Sequence, residues 1–229
     1  MSDETSAEPE IRQRIFSAER AKAFIDAVVA IAMTLLILPL MESVGDAEPE
    51  LGTAGWFAEH QWQVITFVVS FAVIASFWVN QHHLFAQVES VSNRLLWVCI
   101  AWLLTIVWMP VATALTGAMP DDDQVVKAVY IGTMMLTCTL ALTQRLVLLR
   151  HPELHAMTRD QLRRGLAVDI AMTLLFGIAL VVAVTVPQIS YYALFLLLLT
   201  GPLHRVIARL LGVGRAPSRQ ERGEHPGEH

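Results

Sequence analysis

The sequence predicts an all-α polytopic membrane protein with six transmembrane helices, and three observations carry that prediction. The 229 residues are 55% hydrophobic and 16% charged, with a mean hydropathy of +0.51, well above the apolar share of an ordinary soluble domain. Apolar windows long enough to cross the roughly 30 Å of bilayer hydrocarbon, about 20 residues each, recur along the chain. Once the connections between six spans alternate sides, the Lys and Arg residues collect on one of them.

In chain order the spans are Ala23 to Met41, Trp62 to Val79, Leu95 to Ala118, Val125 to Ala141, Gly165 to Val186 and Tyr191 to Leu211. The first follows a polar head and carries Asp26 about one turn inside its start. The second ends on "FWVNQHHLF", with Asn80, His82 and His83 at its rim. The fourth is rich in threonine, which lowers its hydropathy but suits contact between helices. The fifth carries Asp169 about one turn from its start, and "PQIS" separates it from the sixth, so the two read as a tight hairpin broken at Pro187. Head 1–17 and tail 213–229 read as disordered, and 18–212 as one membrane domain. No small-residue cleavage pattern follows the head, so the first helix is expected to be retained. No internal repeat supports an inverted-repeat transporter.

Charge sets the topology. Of the 16 Lys and Arg, Lys127 alone falls on one side. The others lie in the N-terminal arm, the second and fourth connections and the C-terminal end, which puts both termini in the cytoplasm of a multi-pass protein of the cell membrane. The first external loop carries Glu42, Asp46, Glu48, Glu50 and Glu59 and no base, an arrangement that enriches cations near it. Cys99 and Cys138 both fall inside spans and read as packing residues.

Asp26, Asp169, Asn80, His82, His83, Arg20, Lys22 and Arg145 share one depth at the cytoplasmic end, where a hydrogen-bonded cluster can hold helices together. The histidines also suit a proton relay. They do not suit a metal site: neighbours on a helix point about 100° apart, and no third ligand has the right spacing. On the first helix Asp26 lies about 140° around the axis from Ile31. Ile31, Leu35 and Leu38 form an i, i+4, i+7 apolar stripe with Thr34 beside it, a pattern that by itself means lipid contact or packing.

Arg20-x3-Phe24-x-Asp26, followed by "AVVAIAMTLLIL", resembles the first helix of the transmembrane protein 175 family of potassium channels, whose hallmark is Arg, three residues, then Phe-Ser-Asp. "FWVNQHHLF" and "RLLWVCIAWLLTIVWMP" resemble the second and third helices, so the likeness covers about residues 17 to 118. One six-helix unit per chain is the pattern of the family's prokaryotic, tetrameric branch. The resemblance implies a homotetramer with the pore on its axis, lined by the first helix, constricted by Ile31, Leu35 and Leu38, and with Thr34 affecting selectivity. It further implies a structural polar network of Arg20, Phe24 and Asp26 with Trp78 and His82 or His83. Two departures bear on that network: Ile25 replaces the hallmark serine, and Cys99 stands where the third helix usually has asparagine.

The function expected is a potassium-permeable cation channel in lipid, passing monovalent cations with weak to moderate preference for potassium over sodium, because no carbonyl filter sequence is present. No cofactor, resident metal or nucleic-acid partner is expected. No basic residue recurs at every third position, so a voltage sensor is not expected. The alternative is a proton-coupled secondary transporter using Asp26, His82 and Asp169. An enzyme is not expected, since no nucleophile, base or ligand set converges at one depth.

Overall fold

The structure, a computed structural model, describes residues 16–46, 50, 52–120 and 123–185. Within them the chain runs β1 (Phe16–Ser17), α1 (Ala18–Leu35), α2 (Leu38–Gly45), α3 (Gly52–Glu59), α4 (Gln61–Phe85), β2 (Ser90–Val91), α5 (Asn93–Ala118), α6 (Gln124–Arg150) and α7 (Arg159–Thr185). Five helical segments are long and apolar enough to cross a membrane, with α1 and α2 together forming the first, Ala18–Gly45. The sixth expected span, Tyr191 to Leu211, and the expected tail lie outside the described residues, as does most of the head.

The architecture is all-α, as the apolar windows predict, with one addition: Phe16–Ser17 pairs antiparallel with Ser90–Val91. Each helix outruns its apolar window. The fourth window ends at Ala141, yet α6 continues to Arg150, because Gln144 and Arg145 are buried inside the bundle instead of facing lipid. Hydropathy measures contact with hydrocarbon, whereas helix length is set by backbone bonding and caps. Ser92 and Asp123 supply such caps: the Ser92 hydroxyl accepts from Leu95 N–H at the start of α5, and the Asp123 carboxylate accepts from Val125 and Val126 N–H at the start of α6. The acidic loop after the first span holds the short helix α3, fastened by Trp56 Nε1–H donating to the Ser43 carbonyl at 3.1 Å.

The first span is broken at Leu36–Ile37. Pro39 has no N–H to offer the carbonyl of Leu35 four residues earlier, so the α ladder cannot run through. Ile37 N–H bonds Thr34 O instead, a tighter turn, and Met41 N–H bonds Ile37 O to restart the helix.

The core lies among α1, α4, α5, α6 and α7, with α6 packed most extensively, against α5 on one side and α7 on the other. Between helices in lipid the hydrophobic effect gives little association, so close packing and cross-helix hydrogen bonds matter more. Three polar layers cross the interior. Thr113 Oγ1–H donates to Ser70 Oγ at 2.9 Å, and Ser70 Oγ meets Tyr130 OH at 2.8 Å. Thr137 Oγ1–H donates to Thr105 Oγ1 at 2.9 Å. Gln81 Nε2–H donates to Gln144 Oε1 at 2.7 Å. All four threonine hydroxyls of α6, Thr133, Thr137, Thr139 and Thr143, bond carbonyls of their own helix, and Thr137 is the one that also meets a hydroxyl on another helix.

Candidate pore helix and its polar anchor

The first span, α1 with the start of α2, has two unlike faces. Ile25, Val29, Ala32 and Leu36 are buried against the bundle, Ala32 completely. Val29 and Ile31 are two positions apart and so point about 200° apart. The outward face accordingly carries Phe24 (58% exposed), Ile31 (58%), Thr34, Leu35 (38%) and Leu38 (50%). Ile31, Thr34 and Leu35 thus lie on the exposed side of α1, and Leu38, beyond the break at Leu36–Ile37, is exposed as well. The Thr34 hydroxyl donates to the Ile31 carbonyl at 2.7 Å, which leaves its oxygen lone pairs directed away from that bond.

The polar groups at the start of α1 divide differently. Asp26 Oδ1 accepts from Trp78 Nε1–H at 2.7 Å, tying α1 to α4. The Trp78 ring lies 5.5 Å from the His82 ring, and His82 lies 6.4 Å from His83. Both histidines are exposed, as is Arg20, which makes no hydrogen bond or ion pair among the described residues. Lys22 pairs with Glu19 on its own helix at 3.0 Å. With isoleucine in place of the hallmark serine, position 25 serves the apolar core, being 3% exposed. Cys99 sits 4.0 Å from Gln81 Nε2, so the third-helix position that usually holds asparagine still borders a buried amide.

Asp169 belongs to a separate group. It is buried, and its Oδ2 accepts from Arg145 Nε–H at 2.5 Å, while Oδ1 accepts from Asn80 Nδ2–H at 3.4 Å. Gly165, one turn before Asp169, makes room for that pair: a Cβ there would run into the Arg145 guanidinium. The shared depth of these charges was legible in the sequence, but their pairing was not, because it depends on which way α6 and α7 turn. Beside Asp169 a cavity of about 430 Å³ opens between α4, α6 and α7, with Asn80 and His83 at its polar end and Phe77, Met172 and Phe176 along its apolar wall. Among the described residues no three His, Cys, Asp or Glu side chains are grouped as metal ligands.

Residues 20–110, from Arg20 on α1 to Pro110 on α5, match the family model described as endosomal/lysosomal potassium channel TMEM175. That match takes in the first two spans and most of the third. The matched segment holds Ile31, Thr34, Leu35 and Leu38, together with Asp26 and Trp78. A protein named as a potassium channel in Streptomyces collinus is 35% identical over 127 residues, 53% of this chain and 59% of that protein. Another, from Chryseobacterium sp., is 26% identical over 133 residues, 56% of this chain and 64% of its own length. The chain thus spans less than two thirds of either relative. A crystal structure of a lysosomal potassium-selective channel TMEM175 homologue from Chamaesiphon minutus superposes with a TM-score of 0.68 at 21% identity, over 85% of this chain and 98% of that one. The fold is therefore the TMEM175 fold.

Proposed function

We propose that this chain is a member of the TMEM175 family that assembles as a homotetramer in the cell membrane and conducts potassium along the shared axis, with both termini in the cytoplasm. The observation that carries the proposal is the division of α1: one face locked into the bundle through Ile25, Val29, Ala32 and the Asp26–Trp78 bond, the other left uncovered with Ile31, Thr34, Leu35 and Leu38 on it. Four copies facing one axis bring four rings of these side chains together. Apolar rings resist an ion because it must shed water with nothing to replace it, and a ring of Thr34 hydroxyls offsets part of that loss. A preference for potassium over sodium, weak to moderate, follows from having side-chain oxygens at one level instead of a stack of carbonyl rings.

The transporter reading needs Asp26, His82 and Asp169 to act as one relay. Asp26 and Asp169 have different partners, Trp78 and Arg145, on different helix pairs, so the geometry supports the channel better. Purified protein in planar bilayers under a potassium gradient is expected to give currents reversing toward the potassium equilibrium potential. Saturable, electrically silent uptake would overturn the channel reading in favour of the carrier.

A further inference from the structure

At the basic end of the bundle three chain segments lie edge to edge. Phe16–Ser17 pairs with Ser90–Val91, and Val88 in the same α4–α5 link forms a bridge with His155 in the α6–α7 link. Glu89 N–H donates to Leu154 O at 2.9 Å and Ala156 N–H to Gln87 O at 3.0 Å. Helix α1 begins at Ala18, directly after the first of these segments. The link 86–92 is thus clasped on one edge by the lead-in to α1 and on the other by the α6–α7 turn.

His155 closes that turn with both ring nitrogens. Nε2 lies 3.1 Å from the Leu148 carbonyl, which can only accept, and Nδ1 lies 3.1 Å from Met157 N–H, which can only donate. The partners fix the ring as the neutral Nε2–H tautomer. A proton on Nδ1 turns an acceptor into a donor facing another donor, so the bond to Met157 is exchanged for repulsion.

We propose that His155 is a pH-sensitive latch: neutral, it holds the α6–α7 turn against the α4–α5 link; protonated, it releases the turn and slackens the clasp from which α1 starts. The charges around the turn come from each neighbouring segment. Glu153 and His151 share the turn and contact each other at 2.9 Å, Arg150 ends α6, Arg159 begins α7, and Glu89 lies on the link. Glu153 is held below the usual carboxylate range by its own backbone N–H and by His151, and it interacts with His155 electrostatically, so an anion remains beside the ring throughout the relevant interval.

The test needs no current measurement and so stands apart from the channel proposal. Full-length protein labelled with ¹⁵N-histidine and reconstituted in nanodiscs is compared at about pH 8 and about pH 5, the interval in which imidazole changes charge. At the higher pH the His155 signals, assigned by their loss in His155→Asn, should report a protonated Nε2 and a bare Nδ1. On acidification the amides of Glu89, Ala156 and Met157 should lose about tenfold protection from exchange, after correction for intrinsic rates. His155→Asn keeps a short-chain acceptor for Met157 that does not titrate, and its amides should stay protected at both pH values. His155→Ala should leave them unprotected at both. A bare Nε2 at pH 8, equal wild-type protection at both pH values, or an unchanged acid-induced loss in His155→Asn would each overturn the latch.

Discussion

Asp26 and Asp169 are both carboxylates about one turn inside their predicted spans, yet their environments assign them different tasks. Asp26 takes a single indole donor and remains half-buried, so its bond is expected to contribute about 1 to 2 kcal/mol. Trp78→Phe should therefore lower the thermal unfolding midpoint of the purified protein, whereas Trp97→Phe, at a position 64% exposed, should leave it unchanged. Asp169 faces a guanidinium at a buried position, where losing Arg145 removes the carboxylate's paired cation. Arg145→Met is expected to cost about 3 to 5 kcal/mol, and the double variant Arg145→Met/Asp169→Leu to recover much of it. Gly165→Ala should act like a mild form of Arg145→Met, because its methyl group occupies the guanidinium's place. Equal melting of Gly165→Ala and wild type would contradict that account. The aspartates and Arg145 could be read from the sequence as costly groups needing partners. Which partner each takes could not, since a rotation of about 100° on α7 would aim Asp169 elsewhere.

On the scale of elements, α1 was the most legible part of the chain. The exposed placement of Ile31 and Leu35, and their separation from Asp26, agree with helical geometry, whereas Leu38 of the expected i, i+4, i+7 stripe lies past a break that this geometry does not contain. What hydropathy missed was the break at Leu36–Ile37, although Pro39 signals it, and the α3 helix in the acidic loop, which is too short to register as a span. The exposed stripe of α1 has a useful counterpart on α7, where Leu174 and Ile178 are as exposed as Ile31. A lipid-facing residue and a pore residue look alike in one chain, but they respond differently to a polar side chain. Ile31→Asn should raise single-channel conductance or loosen potassium preference, while Ile178→Asn should leave both as in wild type. The same response from both variants would remove Ile31 from the pore.

For the whole molecule, the basic residues predict sidedness, and the fold supplies positions where that prediction can be checked. Gln87 on the α4–α5 link and Ala54 on α3 are both exposed at opposite ends of α4, while Cys99 and Cys138 are buried and should react slowly. In intact cells, a membrane-impermeant thiol reagent is expected to label Ala54→Cys and to spare Gln87→Cys until the membrane is opened. The reverse pattern would invert the topology. The expected sidedness is a sum over many charges, so it is robust to errors of a few residues in any one boundary.

Three side chains by which α6 makes polar contact with α4 and α5, Tyr130, Thr137 and Gln144, are spaced seven residues apart. Such spacing makes α6 a toothed rod: sliding it by one turn against α4 and α5 disengages every tooth at once, and a half-step finds no alternative partner. A subunit built this way resists internal shear. In the proposed tetramer, the movement that opens or shuts a path along α1 is therefore expected to be a tilt of entire bundles about the common axis, or a bend at the Leu36–Ile37 break, with the helices inside each bundle travelling as one block.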